Sequence, residues 1–316
     1  MEKEEVKITD YEFLKRIYNK SIKARAKIDR LKFNDTNIYQ DVVEKLRDEG
    51  SSVHTETFTP ESANILKKVN LFLESGENII PSRDLRSLDT RSLKGHKRIS
   101  EELIKKGVNS YRDITDSIQI RDPFLTIPET FEIATDDRIL SVVQDYYGVM
   151  PSISFVKIVR NFANKVPRFN SQFYHIDSSS SSILKVLIYL NDINDDYSGH
   201  HCYVASSHHE HVKRSLWNVA STYGDFSSNS VVERFGEDSI MKIKGNKGTA
   251  IFEDTTGLHR GEKPTVNDRN ILIINYCIHE EYTHNYKKDK KSKISRVQYE
   301  SIDDKKIRVL DLLDIG

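Results

Sequence analysis

The second half of the chain is a series of short apolar runs, and this series constrains the fold more than any other feature of the sequence. The runs are rich in β-branched and aromatic residues, and Gly, Asn, Asp and Ser stand between them, which is typical of short strands joined by turns. They read SISFVKIV, SQFYHID, SILKVLIYL, HHCYVA, SIMKI, GTAIFED and RNILIINYCI. The pattern predicts a mainly β fold, a jelly roll or similar cupin-like double-stranded β-helix, with helices packed against one sheet.

The first 150 residues instead predict an α-helical N-terminal region. Three segments combine a capping residue, apolar residues at helical spacing and a terminal glycine. The predicted caps and ends are Thr59 and Gly76, Ser100 and Gly107, and Thr135 and Gly148.

The length of 316 residues allows two domains or one elaborated domain. We expect one integrated domain in three parts. Residues 1–150 form the helical region on the β core, residues 151–285 the double-stranded β-helix with an insertion near 210–238, and residues 286–316 a charged C-terminal tail.

Charge and hydropathy exclude several classes of partner. Lys and Arg number 48, as do Asp and Glu, and the sequence pI is about 7.2, so the chain has no global field that would favour nucleic acid. No apolar stretch approaches the roughly 18 residues of a membrane span, and the N-terminus lacks a signal-peptide core. Cys202 and Cys277 each lie within an apolar run, which is typical of buried thiols. We therefore expect a cytoplasmic protein with a small-molecule substrate; the sequence leaves the oligomeric state open.

His175 and Asp177 are the first residues with a chemical signature. They end the run FYHID, and residues i and i+2 of a strand point to the same face. One imidazole and one carboxylate can therefore converge on a single cation. The triplet alone is weakly specific, because His54, His208 and His279 also stand two residues before a glutamate.

The downstream segment GTAIFEDTTGLHRGEKPTVNDRNILIINY supplies the remaining residues. A strand there ends in a turn that presents His259, and a second strand opens at Arg269. Two His and one Asp leave positions open on an octahedral metal, as expected for non-haem Fe(II) that binds a cosubstrate and O2. A closed zinc site would want a fourth ligand and thiolates. The guanidinium of Arg269 suits a carboxylate inside the barrel, such as the distal carboxylate of 2-oxoglutarate.

From about Ser152 to Ile278, this combination resembles the phytanoyl-CoA dioxygenase family of Fe(II)/2-oxoglutarate oxygenases. The shared pattern is H-x-D, then the run ILKVLIYLNDINDDYSGHHCYVASSH, then a distal His and an Arg ten residues later. The resemblance implies a double-stranded β-helix in which Fe(II) is held by His175, Asp177 and His259, and 2-oxoglutarate is paired with Arg269.

Lys185 and Tyr189 are further candidates for cosubstrate contacts. In strand alternation they share a face with Leu187, and that face is either the barrel interior or the solvated outside. The crowded histidines of the next run are expected to be structural or to lie on the surface, because adjacent strand residues face opposite ways. They are His200, His201, His208, His209 and His211.

The leading functional hypothesis is a dioxygenase that hydroxylates a C–H bond of a small metabolite or biosynthetic intermediate and releases succinate and CO2. Two alternatives remain. One is a non-catalytic jelly-roll protein that binds a small molecule, and the other is a cupin enzyme that uses another metal.

Overall fold

The computed structural model describes residues 37–54, 57–82, 112, 115–164, 168, 170–177, 183–217, 226–278 and 292–316. The strands are β1 (Ser51–His54), β2 (Ile79–Pro81), β3 (Ser117–Ile120), β4 (Ser152–Asn161), β5 (Leu184–Tyr189), β6 (His201–Val204), β7 (Ile240–Ile243), β8 (Ala250–Asp254), β9 (His259–Gly261), β10 (Arg269–Cys277), β11 (Lys293–Ile294) and β12 (Asp314–Ile315). The helices are α1 (Asn37–Glu49), α2 (Thr59–Ser75), α3 (Pro123–Thr126), α4 (Glu129–Ala134), α5 (Asp137–Tyr147), α6 (Glu210–Trp217), α7 (Ser228–Phe235) and α8 (Arg296–Ser301). Short 3-10 helices lie at Asn170–Gln172, Glu237–Ser239 and Asp304–Leu310.

Two antiparallel sheets form the jelly roll that the strand pattern predicts. The larger sheet has seven strands in the order β1-β8-β5-β10-β4-β3-β2, and the smaller has three in the order β7-β6-β9. Apolar side chains of both sheets meet in one buried cluster, which includes Leu187, Tyr189 and Ile271 from the larger sheet and Tyr203 and Ile243 from the smaller. This cluster marks the barrel interior, and the predicted mainly β fold with a helical buttress is confirmed.

Helices cover the other face of the larger sheet. Strand alternation turns Val186 and Ile188 of β5 away from the barrel interior, and both lie in a second buried cluster with residues of the helices. That cluster includes Leu46 of α1, Ile65 of α2 and Ile139 of α5. The helices therefore stabilise the sheet from outside, and its inner face lines the barrel interior.

The predicted ends of two helices are confirmed, whereas their starts differ by one residue. Gly76 and Gly148 follow α2 and α5 with φ of 75° and 72°, a left-handed conformation that glycine adopts readily. Thr59 is the first residue of α2 rather than its cap, because its hydroxyl donates to the carbonyl of Lys247 at 3.1 Å. The segment predicted to run from Ser100 to Gly107 lies outside the described residues.

The cap of α5 is Asp136 and not the predicted Thr135. The Asp136 carboxylate accepts from the backbone N–H of Arg138 at 2.8 Å. The hydroxyl of Thr135 instead donates to the carbonyl of Phe131 at 2.9 Å, so it closes the preceding helix α4.

The predicted insertion and tail both contain regular structure. Helices α6 and α7 lie within the insertion, of which 218–225 are outside the described residues. In the tail, Ile294, Val309 and Leu313 are buried in the cluster beneath the helices; the basic run before Ser292 is not among the described residues. The division of the chain into three parts stays a prediction. No helix in the described ranges has the length and apolarity needed to cross a membrane.

Candidate metal centre

His175, Asp177 and His259 come together at one end of the barrel interior. Each offers a ligand atom, and these atoms lie within 4.8 Å of one another. The two histidines exchange backbone hydrogen bonds, with both N–O distances 3.0 Å, and the N–H of Asp177 donates to the carbonyl of Thr255 at 2.8 Å. The run FYHID forms only isolated bridges at Tyr174 and His175 rather than the predicted continuous strand. Even so, these backbone contacts hold the three residues on one face.

Both imidazoles are oriented to present Nε2. Nδ1 of His175 lies 2.9 Å from the carbonyl of Phe173, and Nδ1 of His259 lies 2.9 Å from the carbonyl of Gly257. A carbonyl can only accept, so each Nδ1 carries the proton and each Nε2 keeps its lone pair. Burial lowers the pKa of both rings, that of His259 to about 3. The histidines are therefore neutral at pH 7, which is the state that binds a metal.

Asp177 is ionised and bears the ion pair of the site. Its Oδ2 is 3.9 Å from Nε2 of His259 and contacts the ammonium of Lys185. Burial alone would raise the pKa of Asp177, but the combined influence of Lys185, His259 and His175 outweighs it, so that pKa falls well below its ordinary value. Lys185 thus points into the barrel, which decides the question that strand alternation left open.

A second polar pair, His201 and Glu253, lies beside the three candidate ligands. Nε2 of His201 is 3.0 Å from Oε1 of Glu253, and the rings of His201 and His259 have centroids 5.9 Å apart. Burial raises the pKa of Glu253 to about 7 and lowers that of His201 to about 3, so near neutral pH His201 is neutral and the carboxyl group of Glu253 titrates. The sequence predicts a structural or surface role for His201 and gives no prediction of Glu253 as a site residue. One sequence feature could have indicated Glu253. It is an acidic residue within the run AIFED, and it shares a strand face with the apolar Ile251.

Arg269 lies at the other end of the interior and is buried with neutral partners. Its Nε and one terminal nitrogen donate to Oδ1 of Asn161 at 3.1 and 2.8 Å, and the other donates to the carbonyl of Gly199 at 2.8 Å. No carboxylate in the described ranges forms an ion pair with it. Burial lowers the pKa of Arg269. The guanidinium is therefore a buried cation without a direct ion-pair partner among the described residues.

The geometry of β9 allows the spacing between Arg269 and the candidate ligands to be estimated. A Cβ placed on Gly261 would lie 2.6 Å from a terminal nitrogen of Arg269, and Gly261 is two residues beyond His259 on β9. Two strand residues span about 7 Å, so the gap suits a short dicarboxylate.

Tyr189 lies on the inner face of the larger sheet, which is one of the two positions that strand alternation allowed. Its hydroxyl donates to the carbonyl of Ile243 at 2.7 Å and accepts from the N–H of His201 at 2.8 Å. These bonds join the two sheets across the interior. A cosubstrate contact by Tyr189 stays a prediction.

Comparison with known proteins gives structural neighbours only. No family model matches the chain, and no curated protein matches it in sequence. The epimerase SnoN from nogalamycin biosynthesis, solved with Fe3+, alpha ketoglutarate and nogalamycin RO, superposes with a TM-score of 0.55 at 14% identity, over 77% of this chain and 85% of that chain. EctD from S. alaskensis with bound Fe gives a TM-score of 0.51 at 16% identity, over 80% and 83%. These likenesses show a shared fold; the resemblance to the phytanoyl-CoA dioxygenase family stays a prediction.

Proposed function

We propose that the protein is a non-haem Fe(II)/2-oxoglutarate-dependent oxygenase of the phytanoyl-CoA dioxygenase type. One observation carries the proposal. Two neutral imidazoles and one carboxylate converge on a common point, while a buried guanidinium without an acidic partner in the described ranges lies about two strand residues away. His175, Asp177 and His259 are the proposed metal ligands, and Arg269 is the proposed partner of the distal carboxylate of 2-oxoglutarate.

The donor set suits Fe(II) better than structural zinc. Three ligands of N and O type leave coordination positions open, whereas structural zinc takes four and favours thiolates. Cys202 packs in an apolar cluster with Tyr174, and Cys277 packs against Leu312, so neither thiol joins the ligand group. When bound, Fe(II), 2-oxoglutarate and O2 supply an oxidant able to remove hydrogen from an unactivated C–H bond, with succinate and CO2 as co-products.

Charge balance in the interior supports a dianionic cosubstrate. Lys185, Arg269, Asp177 and Glu253 are charged side chains of this site. With all four ionised their charges cancel, and protonation of Glu253 adds positive charge, so a divalent metal would leave at least two positive charges among them. Buried charge requires compensation, and 2-oxoglutarate carries two negative charges. The protein's task is then to orient both ligands and exclude water from the reacting centre.

We propose hydroxylation of a small metabolite or biosynthetic intermediate as the reaction. Asp177 would occupy the coordination position that a halide needs, so oxygen rather than chloride is expected to reach the substrate. Turnover under ¹⁸O2 with excess chloride tests this: ¹⁸O in the product with succinate is expected, and a chlorinated product would refute the role of Asp177. The neighbour SnoN is described as an epimerase, so a product with inverted stereochemistry and no ¹⁸O would indicate epimerisation.

Anaerobic titration distinguishes the three functional hypotheses. Addition of Fe(II) and then 2-oxoglutarate to the full chain is expected to produce the weak visible charge-transfer band of a chelated keto acid. A non-catalytic binding protein would show neither metal binding nor the band. A cupin enzyme with another metal would bind metal without forming the band.

A further inference from the structure

Lys185 contacts the oxygen that the metal requires. Its ammonium lies against Oδ2 of Asp177, and this same oxygen is 3.9 Å from Nε2 of His259. Both side chains of the ion pair are largely buried, with 17% and 13% of their surfaces exposed. A divalent cation and an ammonium repel each other strongly at this separation. Metal binding therefore requires the ammonium to leave that oxygen.

Glu253 is the carboxylate that can receive it. In the register of β5 and β8, Lys185 stands directly opposite Glu253, and opposite residues of an antiparallel pair have Cβ atoms about 5 Å apart. Glu253 is fully buried. Nε2 of His201 lies 3.0 Å from Oε1, and within the part of the chain that the structure describes Oε2 has no hydrogen-bond partner, although Nε2 lies 2.9 Å from it. An ammonium has three donors, so it would satisfy that oxygen.

We propose that Lys185 pairs with Asp177 in the metal-free protein and moves to Glu253 when the metal binds. Lys185 and Glu253 are thus positioning residues, which act on the metal through Asp177 and together set the metal affinity of the site. His201 holds Glu253 in place beside the ligands. The inference rests on the proposed metal centre and adds the two residues that determine how tightly it binds.

The geometry also allows a simpler rearrangement, in which the ammonium slides to Oδ1 of Asp177. The two arrangements differ in one consequence. If Lys185 moves to Glu253, removal of the Glu253 charge weakens metal binding only while Lys185 is present. If Lys185 stays on Asp177, Glu253 acts independently of it.

A double-mutant cycle on metal affinity separates these cases. The full chain would be titrated anaerobically with Mn2+ or Co2+ against a competing chelator, without 2-oxoglutarate, for the parent, Lys185→Met, Glu253→Gln and the double variant. We expect Lys185→Met to tighten binding by about tenfold, because a competing cation is lost. Glu253→Gln is expected to weaken it by about 10- to 100-fold, as losses near metal ligands do. In the Lys185→Met background the Glu253→Gln effect is expected to shrink to a few-fold or less.

Three outcomes would overturn the inference: an equal effect of Glu253→Gln in both backgrounds, no effect of Glu253→Gln, or weaker binding in Lys185→Met. The last result is decisive even if Glu253→Gln fails to fold. If the parent binds metal and all variants bind it with the same affinity, this inference is refuted but the proposed function is not. Absence of metal binding in the parent would refute the proposed function.

Discussion

The two ends of the barrel interior differ in how their buried charges are compensated. At the end with the candidate ligands, Asp177 has the ammonium of Lys185 within the chain. At the other end, the partners of Arg269 among the described residues are the amide oxygen of Asn161 and the carbonyl of Gly199. The first end balances the charge of its carboxylate within the chain. The second holds a buried cation without a direct ion-pair partner among the described residues, which favours an anion.

This difference shows which end of the interior needs a bound ligand to balance its charge. A buried cation that lacks a counter-charge costs free energy, so Arg269 favours any carboxylate that reaches it. The ligand end carries no such excess charge, because the two histidines are neutral. We therefore expect anion binding and metal binding to fail separately when the two ends are mutated.

The largest expected effect is loss of metal binding in His175→Ala and in His259→Ala. Each variant leaves two protein ligands, which hold an open-site ion poorly. Anaerobic titration with Fe(II) measures the effect, and turnover of 2-oxoglutarate should be lost with it. His208→Ala is the control, since the ring of His208 is hydrogen-bonded to the carbonyl of Arg47, and its effect should be mild. Parent-like Fe(II) affinity in His175→Ala would contradict the assignment.

Arg269→Ala should raise the KM for 2-oxoglutarate and leave Fe(II) affinity nearly unchanged. The variant leaves a carboxylate unpaired in the barrel, at a cost of about 2–5 kcal/mol. Arg260→Ala is a matched control, because Arg260 faces away from the interior and pairs with Glu262 at 2.6 Å. An unchanged KM in Arg269→Ala would indicate Lys185 as the carboxylate partner.

Gly261→Ala disturbs the same end without removing charge. The added methyl group would lie 2.6 Å from the guanidinium of Arg269, so the side chain must shift. We expect a smaller rise in the 2-oxoglutarate KM than in Arg269→Ala, together with parent-like Fe(II) affinity. A loss of Fe(II) affinity would mean that the two ends are coupled through β9.

Tyr146→Phe tests the support of the ligand end from the helices. The hydroxyl of Tyr146 on α5 donates to Oδ2 of Asp254 at 2.5 Å, and Oδ1 of Asp254 accepts from Thr256 at 2.5 and 3.0 Å, within the turn that precedes His259. Loss of one hydrogen bond to a charged group should lower the free energy of unfolding by about 1–3 kcal/mol. Urea unfolding measures it, with Tyr299→Phe at the surface as control. An unchanged midpoint would show that the turn holds without α5.

The smallest expected effect is on pH dependence. The pKa of His259 is about 3 in the folded protein against 6.5 unfolded, so between these values the unfolded chain binds more protons. The free energy of unfolding should therefore fall as pH drops below 6.5, by less than about 1 kcal/mol per such histidine between pH 7 and 6. The pair of His201 and Glu253 adds little between pH 7 and 6, because the raised pKa of Glu253 and the lowered pKa of His201 change the free energy of unfolding in opposite directions. The urea midpoint should depend less on pH in His259→Gln than in the parent, whereas the control His211→Gln should behave like the parent. An equal pH dependence in all three proteins would contradict a buried, neutral His259.

The sequence by itself determined the strand series apart from the run FYHID, the glycine ends of two helices and the four residues His175, Asp177, His259 and Arg269 as candidates. These follow from local chemistry. Alternation, turn residues and the spacing of His and Asp are properties of short segments, and they carry through to a fold whatever the segments pack against.

Only the tertiary structure decided which way Lys185 points, that Glu253 stands opposite it, and that His201 faces Glu253. Each depends on register between strands that are distant in the chain, and a shift of one residue would turn every one of these side chains to the other face. The helix caps show the same limit, since Thr59 loses its predicted cap role to a bond with Lys247. Long-range pairing, which no short segment encodes, sets the charge balance of the interior.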